Sequence, residues 1–255
     1  MLTLITVVSS AGGAGRSTVT AHLAAQLAQG EHPVAVIELD AQNSLGALLG
    51  LSAASEKGVL TLGEAPAGWR SLLSDTPAKV PLLPAGRASA AQVAAFGEWL
   101  RREPAGLRRQ LDALGLPDGT RVLIDTSRLP GVTAQAAIAA SDLVLGVVPV
   151  TTTGYVTQPD LMTAGGPGCQ MVANFAAANS ALGTDLMQMI QSRGGDAIVP
   201  VRIHRDDAVG TAAAGGLPLF THGEGSQAAL DILHLAAWLL RATARTSDGV
   251  EEGSP

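Results

Sequence analysis

The first 22 residues constrain the fold more than any other stretch, because a buried strand, a small-residue loop and a helix follow one another directly. The apolar run from Leu4 to Val8 predicts the strand. Residues 9–15 (SSAGGAG) are too rich in small side chains to continue a strand or a helix, and a helical pattern then runs from Arg16 to Ala28. This order predicts an α/β fold whose sheet is mostly parallel and flanked by helices.

The loop between this strand and helix has the composition of a phosphate cradle. Glycines let backbone N–H groups approach an anion, and the helix N-terminus adds a partial positive charge. Aligned on the P-loop pattern G-x-x-x-x-G-K-[ST], residues 10–17 keep Gly15 and the hydroxyl of Ser17, which is expected on Mg²⁺. Ser10 replaces the first glycine and Arg16 replaces the lysine, so the match is degenerate. A glycine-rich βα turn in a Rossmann-like domain without nucleotide is the alternative.

Length and composition favour one large α/β domain. The chain has 255 residues, of which 47% are hydrophobic and only 3% aromatic, so we expect a core of Ala, Leu and Val. We assign residues 1–245 to this domain and expect residues 246–255 to form an acidic, disordered tail. The net charge of −6 makes nucleic acid an unlikely partner on charge alone.

Cysteine, histidine and hydropathy patterns restrict the remaining classes of function. The single cysteine, Cys169, excludes an internal disulfide, favours a reducing compartment and is expected to pack as a small apolar side chain. The five histidines show no metal-ligand spacing. No apolar run reaches the roughly 18 residues of a membrane span. These features predict a cytoplasmic protein with no direct membrane insertion.

Polar side chains lie at the carboxyl ends of three further predicted strands. Glu38 and Asp40 end the apolar run that starts at Val34, Asp125 ends the run from Arg121, and Asn174 ends the run from Gln170. Parallel α/β sheets bind ligands at the carboxyl ends of their strands. Near a P-loop, one acid can hold hydrated Mg²⁺ and another can position a water, whereas solvated strand-end acids are the alternative. Asn174 can contact an adenine edge or cap a turn.

The rest of the chain continues the alternation of strands and helices. We predict further strands at 80–84, 142–150 and 197–201, and helices at 88–116 (broken near Pro104), 134–140, 179–193 and 227–245. The last helix is amphipathic, and its core-facing residues are predicted to be Leu230, Leu233, Leu235, Trp238 and Leu239. Residues 151–168 are predicted to be a connection with a short helix near Leu161.

Four segments in this order resemble motifs of the ParA/MinD family of ATPases with a deviant Walker A loop. Gly12 to Thr18 resembles the KGGxGKTT loop, Glu38 to Asn43 resembles DxDPQxN, and Leu123 to Thr126 resembles the Walker B strand. Val201 to Ala208 resembles the late IPRs…A segment and, more closely, the IHRDE segment of the cellulose-biosynthesis BcsQ (YhjQ) branch. The resemblance implies a P-loop NTPase-like, doubly wound fold of three layers.

The resemblance also implies ATP and Mg²⁺ as cofactors and assigns roles to individual residues. It implies that Asp40 positions the attacking water and that Ser17, Glu38 and Asp125 serve the metal. The residues that it places on the nucleotide are Gly12, Gly13, Ala14, Gly15, Arg16, Ser17, Thr18 and Asn174.

Three departures from the family pattern bear on hydrolysis. The signature lysine that reaches a partner's phosphates is Ala11 here, Arg16 keeps the charge of the P-loop lysine without its compact geometry, and Glu38 is one methylene longer than aspartate. Losing a cation that stabilises phosphoryl transfer costs about 10³ or more in rate. The sequence therefore predicts ATP binding with weak or absent hydrolysis, that is, a weak ATPase or a pseudo-ATPase.

For the BcsQ branch, the resemblance implies an accessory or scaffold factor of bacterial cellulose synthesis and secretion. It implies a homodimer or a heteromer with components of the cellulose synthase complex, peripheral to the inner membrane only through those partners. The alternatives are a ParA-type partitioning ATPase, a MinD-type positioning ATPase, a metabolic enzyme on the same fold and an interaction module that has lost nucleotide.

Overall fold

The computed structural model of the protein describes residues 1–62, 68–177, 180–222 and 225–248. Within these residues the strands are β1 (Thr3–Val8), β2 (Val34–Leu39), β3 (Leu82–Leu83), β4 (Arg121–Thr126), β5 (Leu143–Pro149), β6 (Cys169–Ala176) and β7 (Ile198–His204). They form one seven-stranded sheet in the order β3-β2-β4-β1-β5-β6-β7, and every pair of neighbours is parallel. The predicted α/β fold with a doubly wound parallel sheet is confirmed.

Helices connect the strands and cover both faces of the sheet. They are α1 (Arg16–Gln29), α2 (Leu45–Leu48), α3 (Trp69–Leu72), α4 (Ala90–Arg102), α5 (Gly106–Asp112), α6 (Val132–Ala140), α7 (Thr152–Gly165), α8 (Ala181–Gly194), α9 (Asp207–Gly215), α10 (Leu219–His222) and α11 (Gln227–Asp248). A short 3₁₀ turn, Gly195–Ala197, precedes β7.

Alternating side chains of the central strands divide the core into two faces. Ile5 and Val7 of β1 pack in one cluster with residues of α1 and α11, such as Leu23 and Leu239. Leu4 of β1 faces the other side, in a cluster with residues of α4 and α5. The sheet is therefore the middle of three layers, as the sequence predicted.

Strand register brings the predicted acidic residues to one edge of the sheet. Asp125 of β4 lies opposite Glu38 of β2 on one side and opposite Val7 of β1 on the other. Val7 is the penultimate residue of β1, directly before the glycine-rich loop. Two carboxylates and the loop therefore share the carboxyl edge of the sheet.

Several boundaries differ from the predictions. The segment predicted as a connection at 151–168 is mostly helix, because α7 spans 14 residues. The region 88–116 forms two helices, α4 and α5, on either side of the predicted break. Leu230 and Leu233 of α11 were expected to face the core, yet they are 50% and 45% exposed.

The C-terminal helix ends at Asp248, three residues beyond its predicted end at Arg245. The remainder of the predicted tail, 249–255, lies outside the described residues. Among the described helices, none combines the length and the apolar character that crossing a membrane requires.

Candidate functional site

The loop between β1 and α1 folds around glycines with left-handed backbone. Gly13 and Gly15 have φ of 64° and 87°, a region that suits glycine, and Gly15 is the N-cap residue of α1. Ala11 is buried, and its N–H donates to Ser9 Oγ at 3.1 Å. The structure therefore places residues 12–18 together at the start of α1, where the sequence placed the phosphate loop.

Asn174, at the end of β6, lies directly against this loop. Its Nδ2 donates to the carbonyl oxygen of Ala14 at 2.8 Å, and its Oδ1 accepts from the Phe175 N–H at 2.9 Å. A Cβ on Gly15 would lie 2.5 Å from Asn174 Nδ2, so this close approach requires glycine. The amide fixes β6 to the loop, a role that the sequence did not indicate, while its predicted adenine contact stays a prediction.

Two buried carboxylates, Glu38 and Asp125, lie opposite each other on neighbouring strands, and the half-buried Ser17 contacts Asp125. Ser17 Oγ donates to Asp125 Oδ2 at 2.6 Å. Glu38 Oε1 accepts from the N–H groups of Ser44 and Leu45 at 2.6 and 2.8 Å, which makes Glu38 the anchor of the turn into α2. The other oxygens, Glu38 Oε2 and Asp125 Oδ1, are buried and have no hydrogen-bond partner among the described residues.

Burial shifts both carboxylates toward their neutral forms. It raises the pKa of Glu38 to about 7 and that of Asp125 to about 7, and the hydrogen bond from Ser17 offsets part of the shift at Asp125. A cation at the two open oxygens would oppose this effect by stabilising the charged forms.

These three side chains fit the protein's share of a magnesium site. Mg²⁺ usually takes one or two carboxylates from the protein and completes its shell with water and substrate phosphates. The described residues hold no group of three or more His, Cys, Asp or Glu side chains arranged as a self-sufficient metal site. The oxygens Glu38 Oε2 and Asp125 Oδ1, unpaired within the described part of the chain, together with the Ser17 hydroxyl, suit a Mg²⁺ ion that also binds a phosphate of the ligand.

Asp40 is paired with the arginine that replaces the P-loop lysine. Arg16 Nη2 lies 3.3 Å from Asp40 Oδ2, and both side chains are nearly buried. Asp40 Oδ1 accepts from the Gln42 N–H at 3.0 Å. Arg16 Nε and Nη1 are buried without a partner among the described residues. The loop cation therefore shares its charge with the acid predicted to position water, and it keeps two donors for a further acceptor.

A cavity of about 300 Å³ adjoins the loop beside Thr18. It lies between the start of α1, the ends of β6 and β7, α9 and α11, and its wall includes Asn174, Phe175 and Arg205. Its size and mixed lining suit a planar heterocycle with a few polar groups.

His22 of α1 supplies a buried polar group to this cavity. The side chain is 3% exposed, and its Nδ1 accepts from the Leu219 N–H at 3.4 Å. Burial lowers the pKa of His22 to about 4, so the imidazole is neutral and its Nε2 carries the hydrogen. Nε2 has no partner among the described residues. A lone histidine in an apolar helical pattern gave the sequence no signal for this role.

Residues 201–208, which carried the resemblance to the BcsQ branch, run from the end of β7 into α9 and form another wall of the cavity. Hydrogen bonds attach this segment to α11. Asp206 Oδ1 accepts from the Ala208 N–H at 2.9 Å at the start of α9, and its Oδ2 accepts from Ser226 Oγ at 2.8 Å and from the Ala228 N–H at 3.2 Å. His204 Nδ1 lies 2.8 Å from Asp231 Oδ2 of α11. The side chains on this wall are thus fixed by hydrogen bonds across two helices.

The parallel sheet, the loop at its central strand and the acids at its carboxyl edge define a P-loop NTPase-like fold of the MinD and ParA type. MinD from Pyrococcus horikoshii, solved with Mg-ADP, is 19% identical with a TM-score of 0.76 over 96% of this chain and 99% of that one. Apo McdA from Cyanothece is 16% identical with a TM-score of 0.78 over 94% and 100%. Cobyrinic acid a,c-diamide synthase from Mycobacterium smegmatis, solved with an ATP analog and magnesium, is 20% identical with a TM-score of 0.71 over 94% and 95%.

The sequence comparison specifies the family. The model of the family described as "Cellulose biosynthesis protein BcsQ" matches residues 2–240, and the chain belongs to this family. The resemblance to the BcsQ family is therefore confirmed. No curated protein matches the chain significantly.

Proposed function

We propose that the protein binds ATP with Mg²⁺ at the loop of residues 12–18 and acts as a nucleotide-dependent accessory factor of cellulose synthesis and secretion. One observation carries the binding proposal. Of the eight buried side-chain polar atoms without a partner among the described residues, five belong to Arg16, His22, Glu38 and Asp125, around the loop and its cavity. Buried polar groups are normally paired, so this concentration indicates a ligand with both anionic and polar parts.

In this proposal each part of the nucleotide has its own set of contacts. The phosphates lie on the backbone N–H groups of the loop and on the open donors of Arg16. Ser17, Asp125 and Glu38 hold Mg²⁺, which when bound neutralises phosphate charge. The base enters the cavity beside Thr18, where the Nε2–H of His22 donates to a ring nitrogen and the Asn174 amide contacts the base edge.

The same geometry supports slow or absent hydrolysis. Asp40, matched to the water-positioning acid, is paired with Arg16, and a carboxylate held by a guanidinium is a weaker base for a water. Ala11 is a buried apolar side chain where the family pattern has a cation. The proposed activity is therefore nucleotide-dependent assembly rather than rapid turnover.

Calorimetric titration and a phosphate-release assay test the proposal. We expect ATP to bind the wild type, to bind more tightly with Mg²⁺ than without it, and to be hydrolysed slowly or not at all. The matched variant is the double change Ala11→Lys, Arg16→Lys, which should raise turnover if the missing lysines limit it. Failure of ATP-Mg²⁺ to bind would contradict the nucleotide site, and brisk wild-type turnover would contradict the assembly role.

Family membership supports the cellulose pathway and, with it, a cytoplasmic protein that assembles as a homodimer or with components of the synthase complex. Deleting the gene in its own bacterium should lower cellulose output, and a wild-type copy should restore it. A copy carrying Asp125→Ala, in which the metal side is disrupted, should fail to restore it. Unchanged cellulose output after the deletion would contradict the proposed pathway and would leave the nucleotide-binding proposal unaffected.

A further inference from the structure

Arg128 lies in the short loop between β4 and α6, and this loop is attached to the glycine-rich loop. The N–H of Leu129 donates to the Ser9 carbonyl oxygen at 3.0 Å, and the N–H of Gly131 donates to the Arg128 carbonyl oxygen at 2.9 Å. Ser127 Oγ and Thr133 Oγ1 are 2.9 Å apart and hold the loop against α6. The backbone of Arg128 is therefore fixed relative to the tip of the neighbouring loop.

The side chain of Arg128 extends over that tip. A Cβ on Gly12 would lie 3.7 Å from Arg128 Nη1, so the guanidinium is within van der Waals reach of the exposed backbone at Gly12. The Arg128 side chain makes no ion pair or hydrogen bond with any described residue. Several other described arginines do pair with acids, among them Arg16 with Asp40, Arg108 with Asp142 and Arg109 with Glu103.

The charge balance around the loop leaves a place for a further cation. Arg16 is shared with Asp40, and the two other acids beneath the loop, Glu38 and Asp125, are suited to a magnesium ion. A bound triphosphate carries more negative charge than one divalent cation and one shared guanidinium neutralise. Arg128 lies beside the glycine-rich loop with all its side-chain donors unpaired among the described residues. A guanidinium can bind phosphate oxygens through two parallel hydrogen bonds in one plane.

We propose that Arg128 is a phosphate-binding residue, which contacts the terminal phosphates of a nucleotide from the loop after β4. The proposal rests on the proposed nucleotide site and names the part of the ligand that Arg128 recognises, namely a polyphosphate chain longer than a single phosphate. A solvated surface arginine, which is the ordinary alternative, would leave polyphosphate affinity unchanged.

The test is calorimetric titration of ATP-Mg²⁺, inorganic tripolyphosphate and AMP against wild type, Arg128→Ala and Arg128→Lys. Arg241→Ala is the matched control, because Arg241 is an exposed arginine on α11. It lies two residues before Thr243, and Thr243 accepts a hydrogen bond from Arg121 at the end of β4 opposite to the loop. We expect Arg128→Ala to weaken ATP and tripolyphosphate by about 10- to 100-fold and to leave AMP within about two-fold. Arg128→Lys should recover part of the loss, and Arg241→Ala should bind as wild type.

The outcomes separate this proposal from the one on which it rests. Equal affinities of wild type and Arg128→Ala for ATP and tripolyphosphate would overturn the role of Arg128 while the nucleotide site stands. A loss of AMP affinity as large as that for ATP would also overturn it, because the effect would then not concern the terminal phosphates. If wild type binds tripolyphosphate through Arg128 but does not bind ATP, the role of Arg128 holds and the nucleotide proposal fails. If wild type binds neither ligand, both proposals fail.

Discussion

At the scale of single residues, two separate features of the structure favour glycine at position 15, the N-cap of α1. Gly15 has φ of 87°, which favours glycine, and a Cβ at that position would lie 2.5 Å from Asn174 Nδ2. We predict that Gly15→Ala lowers the free energy of unfolding by about 2 to 4 kcal/mol, because it adds a side-chain clash to the backbone strain. Urea unfolding of the ligand-free protein measures the loss.

Gly13 provides the matched control within the same loop. Its φ of 64° carries a similar left-handed requirement, but a Cβ there would meet no atom within 4 Å. Gly13→Ala should therefore cost only about 1 kcal/mol, the strain of the backbone alone. Equal losses in the two variants would show that the contact with Asn174 contributes nothing to the loop.

Single residues also show how far the sequence could predict the site. Ser17 and Asp125 were predicted at the metal side, and the structure brings them together through a hydrogen bond. The Arg16–Asp40 pair, the Asn174–Ala14 bond and His22 in the cavity were not predicted as such. Each joins elements that are distant along the chain, and no local pattern of residue types records which distant groups meet after packing.

At the scale of elements, the carboxylate of Asp206 accepts hydrogen bonds from the first turns of two helices, α9 and α11. Asp206 accepts from the N–H of Ala208 at the start of α9 and from the N–H of Ala228 in the first turn of α11. These bonds, first that from Ala208, hold the pKa of Asp206 below its usual range. We predict that Asp206→Ala lowers the free energy of unfolding by about 1 to 3 kcal/mol at neutral pH.

The pH dependence of this loss has a definite sign. Because the folded-state pKa of Asp206 is lowered, its contribution is present above the unfolded-state pKa and is lost as the pH falls through the folded-state value. The difference between wild type and Asp206→Ala should therefore shrink below about pH 4. Asp185→Ala, at an exposed site on α8, is the control and should change stability by less than about 0.5 kcal/mol. A constant difference from pH 3 to pH 7 would contradict the capping role.

Elements with strong hydrophobic periodicity were predicted well, and α7 shows why one was not. All seven strands overlap predicted apolar runs. The first six are mostly buried, whereas β7 is mostly half-buried or exposed and extends to His204, three residues beyond its predicted end at Val201. The α7 segment contains Gly154 and the internal Pro159, both of which weigh against a helix locally. Its helix is favoured by tertiary contacts: Leu161 is buried, and Gln158 Nε2 donates to the Ile190 carbonyl oxygen of α8 at 3.0 Å.

At the scale of the whole molecule, the acids beneath the loop link stability to pH and to ligand. Burial raises the pKa of Glu38 to about 7 and that of Asp125 to about 7, whereas unfolded carboxylates titrate near 4. Between these values the folded protein binds more protons than the unfolded chain. The stability that comes with the neutral forms is therefore fully present below about pH 4 and lost as the pH rises through about 7.

Removing one of these charges should stabilise the ligand-free protein in alkaline solution. We predict that Asp125→Asn raises the free energy of unfolding by about 1 to 3 kcal/mol at pH 8 and by less at pH 5, where the acid is neutral in the folded protein but largely ionised in the unfolded chain. The same variant should lose most of the stabilisation that ATP-Mg²⁺ gives the wild type, because the metal side loses a carboxylate. Thermal unfolding at both pH values, with and without ATP-Mg²⁺, measures the two effects, and Asp185→Asn on α8 controls for the general loss of one negative charge. An Asp125→Asn protein that is less stable than wild type at pH 8 would mean that the carboxylate stabilises the fold directly. If the variant is more stable at pH 8 but is stabilised less by ATP-Mg²⁺, the two buried acids lower the stability of the ligand-free protein and are needed for ligand binding.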